Sequence, residues 1–172
     1  QKYPGCPRTQ NLFNIVAEGR KNQVPARKVL LNVDENKVRE LGIIDMTFPD
    51  INGTERTLSD LKGKVVLLDF TAFSLEGSQE RTLQLRELYN KYHTNGFEIY
   101  QVSFDPDRHF WTQRCEYLPW VCVYAEEGLN SDMLKLYQVQ ELPYYFLIDR
   151  NCDLQSRMET ISDIKKAIEA LL

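Results

Sequence analysis

The sequence predicts an α/β fold with a central mixed β-sheet flanked by helices. From residue 43 onward, short apolar runs typical of strands alternate with longer segments typical of helices. Strand–helix–strand units of this length form right-handed crossovers between parallel strands, and two strands near the end of the chain predict an antiparallel edge. The chain has 172 residues, of which 42% are hydrophobic, a size and composition that fit one globular domain.

The centre of the predicted sheet is the continuous apolar run at residues 65–70. Such a run, with two β-branched residues, indicates a strand that is buried on both faces. A long helix is predicted over 78–94, with Leu85 and Leu88 on its apolar face. The next strand is predicted at 97–104, so these segments form one βαβ unit in the middle of the sheet.

The second half of the chain is predicted to continue the alternation. Asp105 and Pro106 are expected to open a helix, because aspartate caps helices and proline is tolerated in the first turn. Asn130 or Ser131 is expected to cap another helix that runs through Tyr137. The remaining predicted elements are an N-terminal hairpin that turns at Asn52-Gly53, strands at 120–124, 144–148 and 154–158, and a closing helix at 162–172.

Residues 1–40 differ from the domain predicted at residues 41–172. The first few residues are rich in turn formers, and a short apolar stripe and a polar stretch follow them. We interpret this segment as a helical lead-in or linker. The chain begins at Gln1, so we expect either that a targeting segment was removed or that the chain is a fragment with an upstream domain.

Charge and hydropathy argue against two classes of partner. The formal net charge is −4, from 21 basic and 25 acidic residues, and no basic patch stands out. A nucleic-acid partner is therefore not expected. No apolar run approaches the roughly 20 residues that a membrane-spanning helix needs.

The four cysteines are widely spaced, at Cys6, Cys115, Cys122 and Cys152. None belongs to a Cys-x-x-Cys motif, and four cysteines in a chain of this length lack the density of a disulfide scaffold. The pattern favours buried free thiols, which are common in cores. The alternative is a disulfide between Cys115 on a helix and Cys122 on the following strand.

Four blocks of sequence resemble the thiol-disulfide oxidoreductases of the TlpA and ResA type, which are related to the AhpC/TSA family. The blocks are GKVVLLDF at 63–70, LYNKY at 88–92 with GFEI at 96–99, LPW at 118–120, and LPYYFLID at 142–149. The resemblance extends from about Phe48 to Leu172. It implies a thioredoxin fold with a cis peptide bond at Leu142-Pro143, and a periplasmic or membrane-anchored location in a bacterial cell envelope.

The sequence departs from this family where the family has its redox motif. The family pattern Trp-Ala-x-Trp-Cys-x-x-Cys is replaced by TAFSLEGS at 71–78, so the two cysteine positions fall on Leu75 and Ser78. Thiol exchange requires a thiolate that attacks a disulfide, and neither residue supplies one. Ser78 is predicted to be a helix N-cap, and Glu76 is predicted to lie near the positive end of that helix. Asp69 corresponds to the buried acid of thioredoxins.

Two functional classes follow from this pattern. The first is a non-catalytic binding or structural module that holds an extended peptide in a groove formed by Leu75, Glu76, Gly77, Ser78, Leu142 and Pro143, as relatives do by strand-like backbone bonds. The second is an oxidoreductase that uses an unusual thiol, such as Cys115 or Cys122, or acts with another domain. Leu75 either adds an apolar surface patch, to which an outward Phe73 would contribute, or plugs the space that the motif left.

No cofactor and no metal are expected. Asp105, Asp107 and His109 could be drawn as metal ligands, but a helix start with a solvated face explains them more simply.

Overall fold

The computed structural model describes residues 42–158 and 160–172, so the predicted lead-in at 1–40 and Cys6 lie outside the described residues. The described strands are β1 (Thr47–Pro49), β2 (Glu55–Thr57), β3 (Val65–Thr71), β4 (Phe97–Ser103), β5 (Val121–Tyr124), β6 (Tyr144–Ile148) and β7 (Leu154–Met158). The α-helices in the same residues are α1 (Ser78–Tyr92), α2 (Arg108–Cys115), α3 (Asp132–Leu136) and α4 (Ile161–Leu171). No helix within these ranges has the length and apolar character to cross a membrane.

The central sheet has five strands in the order β5-β4-β3-β6-β7. β3 pairs in parallel with β4, and β4 with β5, whereas β6 runs antiparallel to both β3 and β7. β1 and β2 form the predicted N-terminal hairpin, and Asp50 after β1 makes an isolated bridge to Val123 of β5. This mixed sheet with flanking helices confirms the predicted thioredoxin fold.

The two faces of β3 supply two separate apolar clusters, because successive residues of a strand point to opposite faces. Val66, Leu68 and Phe70 pack with the hairpin and α3, and Val65 and Leu67 pack with α1 and α4. Every residue of β3 and β4 is buried. The predicted doubly buried central strand is therefore confirmed.

The start of α2 differs from the prediction. The helix begins at Arg108, and its N-cap is Asp107, whose carboxylate accepts hydrogen bonds from two backbone N–H groups, including His109 N at 2.9 Å. The prediction that Asp105 caps this helix and Pro106 occupies its first turn is wrong. Asp105 is unexposed because its carboxylate turns into the protein, where it binds another loop.

The other helix and strand boundaries differ from the predicted ones by a few residues at most. α1 ends at Tyr92 and continues as a 3₁₀ turn over His93–Asn95, which together match the predicted 78–94 helix. Ser131 is the N-cap of α3, and its hydroxyl accepts a hydrogen bond from Met133 N at 3.4 Å. One of the two alternatives for that cap is thus confirmed.

Candidate functional site

Strand register brings three segments to one end of the sheet. Phe70 at the end of β3 pairs with Tyr144 at the start of β6, and Thr71 pairs with Ser103 at the end of β4. The loops that follow β3 and β4 and the segment that precedes β6 therefore leave the sheet at the same end. In α/β folds, ligand sites are typically formed by loops at the carboxyl ends of parallel strands.

The segment before β6 contains the predicted cis-proline. The Leu142-Pro143 peptide bond is cis, which confirms the prediction. Both residues are half-buried, and they border a cavity of about 400 Å³ that Tyr144 and Arg157 also line. Arg157 Nε donates a hydrogen bond to the Tyr144 hydroxyl at 2.8 Å, and its guanidinium lies 4.6 Å from the centre of that ring.

The resemblance places the family's two cysteines at Leu75, in the loop between β3 and α1, and at Ser78, the first residue of α1. Leu75 is half-buried and belongs to none of the three apolar clusters of the described residues, while Glu76 and Gly77 are exposed. Gly77 occupies the N-cap of α1 with a φ of 74°. The prediction that Ser78 is the N-cap is wrong, because its hydroxyl faces back and donates to Phe73 O at 2.7 Å.

A buried carboxylate, Asp105, holds the first part of this loop. Phe73 N and Ser74 N donate hydrogen bonds to its two oxygens at 2.7 and 2.9 Å, and the Ser103 hydroxyl donates at 2.7 Å. Sequence analysis missed this role. The available signal was the position of Asp105 just after a strand parallel to β3, since the ends of neighbouring parallel strands meet at one edge of a sheet.

The Phe73 side chain points into the protein. It is 6% exposed and belongs to a cluster with Trp111 of α2 and Tyr124 of β5. The aromatic rings of Trp111 and Tyr124 lie 4.9 Å apart. The expectation that an outward Phe73 adds to a surface patch at Leu75 is therefore wrong.

The same cluster contains a disulfide between Cys115 and Cys122. Cys115 is the last residue of α2 and Cys122 lies in β5, as predicted, and their Cα atoms are 6.4 Å apart. The expectation of free thiols at these two positions is wrong. Both side chains face the same apolar cluster, so the helix-to-strand reversal brings the sulfurs together rather than pointing them apart.

Asp69 on β3 is a buried carboxylic acid with incomplete hydrogen bonding. It is 1% exposed, and burial raises its pKa to about 7, although a hydrogen bond from Gln101 Nε2 at 2.7 Å and the charge of Arg81 act in the opposite direction. Among the described residues, neither Asp69 Oδ1 nor Arg81 Nη2 has a hydrogen-bond partner, and both atoms are buried. Below about pH 7 this carboxyl group is therefore mostly protonated and carries no charge.

Gln101 on β4 connects Asp69 to the disulfide region. Its amide nitrogen donates to Asp69, and its amide oxygen accepts a hydrogen bond from Trp120 Nε1 at 3.0 Å. The same oxygen lies 3.7 Å from Cys122 Sγ. The buried acid and the disulfide therefore share one intervening side chain, a connection that the sequence did not indicate.

The remaining cysteine of the described residues, Cys152, is a poor nucleophile. It is 3% exposed, and burial, with the charge of Asp45 as the next cause, raises its thiol pKa to about 11. Only the thiolate attacks disulfides, so a thiol with this pKa is almost entirely inactive at neutral pH.

No group of three or more histidine, cysteine, aspartate or glutamate side chains that could hold a metal ion occurs within residues 42–158 and 160–172. Of the residues that could be drawn as ligands, Asp105 binds the loop after β3 and Asp107 caps α2. His109 Nε2 lies 3.1 Å from Gln113 Nε2 on the same helix.

Several known proteins are similar in sequence to this chain. A family model described as thioredoxin-like matches residues 63–154. Nucleoredoxin from Xenopus laevis is 30% identical over 119 residues, which cover 66% of this chain and 29% of nucleoredoxin. Thiol-disulfide oxidoreductase ResA from Geobacillus kaustophilus is 28% identical over 134 residues, 74% of each chain. The chain thus aligns with less than a third of nucleoredoxin's length but with most of ResA.

A solved structure of a thioredoxin-like protein is also similar to this chain. A thioredoxin-like protein from Bacteroides vulgatus has 45% sequence identity and a TM-score of 0.71, with 87% of this chain and 92% of that chain covered. The match therefore covers most of both chains.

Proposed function

Because this chain belongs to the thioredoxin-like family, we propose that it is a binding module that keeps the thioredoxin scaffold without exchanging thiols at the family's redox position. The observation that supports the proposal most directly is the presence of Leu75 and Ser78 where the exchange reaction needs two thiols. The ligand class is an extended peptide or a loop of a partner protein, held beside Pro143.

The side chains at these positions have no exchange chemistry. Leu75 has no nucleophile, and the hydroxyl of Ser78 is engaged with the carbonyl of Phe73. A serine also needs an adjacent base to become a nucleophile, and the two histidines, His93 and His109, lie after α1 and in α2. The loop is thus suited to contact a ligand rather than to react with it.

Backbone groups beside the cis-proline support peptide binding. Within the described part of the chain, neither the N–H nor the C=O of Leu142 takes part in a backbone hydrogen bond, although the residue is only half-exposed. An extended peptide can satisfy both groups by strand-like pairing, which gives affinity without a particular ligand sequence. Residues 75–78 do not line the cavity beside Pro143. Leu75 is half-buried and joins no apolar cluster of the described residues, so it is the side chain that we propose contacts the peptide from the loop after β3.

The disulfide supports a location outside the reducing cytoplasm. Disulfides persist in oxidising compartments such as the bacterial periplasm and are rare in the cytosol. We therefore propose a cell-envelope location, in agreement with the resemblance to ResA. Cell fractionation with alkylation before lysis tests this, and recovery of the protein in the cytosol with Cys115 alkylated contradicts it.

Restoration of the two thiols tests the catalytic half of the proposal. We expect Leu75→Cys with Ser78→Cys to reduce insulin with dithiothreitol at least about tenfold faster than the native chain, because a cysteine at a helix N-terminus has a lowered pKa. The native chain should match buffer. Leu75→Ser with the native Ser78 is the control, and turnover by the native chain contradicts the proposal.

Disulfide tethering tests the binding half. In Leu75→Cys, an extended peptide with one cysteine should form a more stable mixed disulfide than the same peptide N-methylated at its backbone, since methylation removes the donors that would pair with Leu142. Glu76→Cys, next to it in the exposed loop, is the matched control and should not distinguish the two peptides. Equal stability of both peptides at Leu75→Cys would exclude strand-like pairing.

A second candidate function, thiol-disulfide exchange at Cys115–Cys122, is favoured by the disulfide itself and by its contact with Gln101. In that reaction a dithiol substrate attacks one sulfur, its second thiol resolves the mixed disulfide, and two electrons and two protons pass to Cys115 and Cys122. Both cysteines are at most 7% exposed, which opposes rapid attack. Insulin reduction by the native chain that disappears in Cys115→Ser would establish this function.

A further inference from the structure

A second groove lies on the outer surface between α1 and the end of α2. It has a volume of about 370 Å³, and its walls include Leu83 and Arg86 of α1, Arg114 of α2 and Tyr117 just after α2. Ser78, the first residue of α1 and one of the residues predicted for the cis-proline groove, also lines it. The groove is separate from the cavity beside Pro143, with which it shares no lining residue.

Exposed large hydrophobic side chains occur at this groove. Three large hydrophobic side chains of the described residues are prominently exposed: Leu83 at 63%, Tyr117 at 76% and Leu129 at 71%. Two of the three, Leu83 and Tyr117, line the groove, and Leu129 lies elsewhere, in the turn before α3. Exposed apolar side chains that cluster in a concave surface are typical of interaction sites, whereas single ones are not.

The charge of the groove is opposite to that of the chain. Arg86 and Arg114 line it and no carboxylate does, although the whole chain has a net charge of −4. Arg86 Nη2 donates to Tyr117 O at 3.2 Å, which fixes the guanidinium across the groove. Its Nε atom is buried and has no hydrogen-bond partner among the described residues. The Arg114 guanidinium lies 5.0 Å from the centre of the Phe110 ring and forms no ion pair within the described residues.

We propose that this α1–α2 groove binds an acidic segment of a partner protein that also presents an aliphatic or aromatic side chain. A carboxylate of the segment reaches the guanidinium groups of Arg86 and Arg114, since arginine presents several donors in a fixed geometry that suits carboxylates. The apolar side chain covers Leu83 and Tyr117. None of these four side chains lines the cavity beside Pro143, so the two surfaces can be tested separately.

Defined peptides test the proposal by fluorescence anisotropy. The probe is a labelled six-residue peptide of sequence Asp-Glu-Leu-Phe-Glu-Asp, compared with a version in which lysine replaces every acid and one in which serine replaces Leu-Phe. We expect the first peptide to bind at least about tenfold more tightly than either control, and its affinity to fall as salt concentration rises.

Surface variants assign the binding to the groove. Arg114→Glu should lower the affinity for the acidic peptide by about tenfold, because it removes the charge contact. Leu83→Ser should lower it by about fivefold, because it removes the apolar contact. Leu129→Ser removes an equally exposed hydrophobic side chain outside the groove and should leave the affinity unchanged. Leu75→Asp should also leave it unchanged, which separates this site from the cis-proline groove.

Three results would overturn the proposal. The first is equal affinity for the acidic and lysine peptides, and the second is an equal effect of Leu83→Ser and Leu129→Ser. The third is a dimer in analytical ultracentrifugation that Leu83→Ser dissociates, because the groove would then be an interface between two copies of this chain. Thermal melting of each variant tests whether a loss of binding reflects unfolding, since Leu83, Arg114 and Leu129 are exposed but Leu75 is half-buried.

Discussion

The loop after β3 and the corner between α2 and β5 are neighbours that are held in place by different chemistry. The loop is fixed by hydrogen bonds from its backbone to the buried carboxylate of Asp105. The corner is closed by the Cys115–Cys122 disulfide. The loop has no sulfur at Leu75, where the resemblance places a family cysteine, and the sulfur pair lies in the adjacent corner.

The two regions meet at Phe73. Its backbone N–H binds Asp105, and its ring packs in the cluster that contains both disulfide cysteines. Polar contacts and apolar packing thus preserve the conformation of the loop without the motif cysteines. Buried hydrogen bonds and apolar packing can therefore fix this loop without any sulfur in it, since function is a property of sites rather than of folds.

Removal of the Asp105 side chain, which accepts hydrogen bonds from the loop after β3, should have the largest effect on stability. Asp105→Ala leaves two backbone N–H groups and a hydroxyl without their acceptor, and we expect a loss of about 3 kcal/mol in the free energy of unfolding. Urea denaturation measures the loss, and hydrogen exchange at Phe73 and Ser74 should accelerate.

The matched control is Asp107→Ala, two residues further along. Asp107 is exposed and acts as the N-cap of α2, so its loss should cost about 1 kcal/mol. Equal losses in the two variants would mean that the carboxylate of Asp105 does not fix the loop.

Removal of the disulfide should have a smaller effect. The bridge closes a short loop, because its cysteines are separated by 7 positions in sequence. The chain-entropy model gives a contribution of about 2–3 kcal/mol for a loop of this size. We expect Cys115→Ser with Cys122→Ser to lose this amount, and alkylation of the native chain without reductant to spare both cysteines.

Reduction of the native chain with dithiothreitol is the control for this comparison and should reproduce the loss seen in the double variant. If the reductant leaves the urea midpoint unchanged and both cysteines are alkylated without it, the corner is closed by packing alone. The contrast between the two regions would then disappear.

The smallest effect should come from Asp69, and only as a dependence on pH. Its pKa rises from 3.8 to about 7 on folding, so between these values the folded state binds more protons than the unfolded state. Stability from this group is therefore complete at low pH and is lost as the pH rises towards 7, by about 2 kcal/mol between pH 5 and pH 8.

Asp69→Asn has no charge to bury and can still accept the Gln101 hydrogen bond. The free energy of unfolding of this variant should not decline as the pH rises, and the variant should be more stable than the native chain at pH 8. Urea denaturation at pH 5 and pH 8 measures both quantities. A native chain and a variant with parallel pH profiles would show that Asp69 is already ionised in the folded state.

Local sequence patterns were sufficient to predict most of the fold. The apolar run at 65–70 predicted the buried strand β3, and the block at 142–149 predicted β6 together with the cis bond at Pro143. The same register located Leu75 in the loop before α1 and Ser78 at the first residue of α1. These features depend on periodicity, turn residues and family motifs, which act over short stretches of chain and are therefore legible in one sequence.

Contacts between segments that are distant in sequence could not be predicted in the same way. The acceptor role of Asp105, the Gln101 link between Asp69 and Cys122, and the pairing of Cys115 with Cys122 all depend on which way a side chain turns after the strands have assembled. An aspartate beside a proline has the sequence signature of a helix cap whether it faces solvent or the interior.

Residue types along the chain are enough to predict the thioredoxin scaffold and to show that residues 71–78 contain no thiol. Tertiary structure decided that Phe73 faces inward, that Ser78 binds the loop rather than capping α1, and that Leu83 and Tyr117 share a groove with two arginines. The physical reason is that burial and hydrogen-bond satisfaction are properties of the packed molecule, since a side chain's environment exists only once the strands and helices around it are in place.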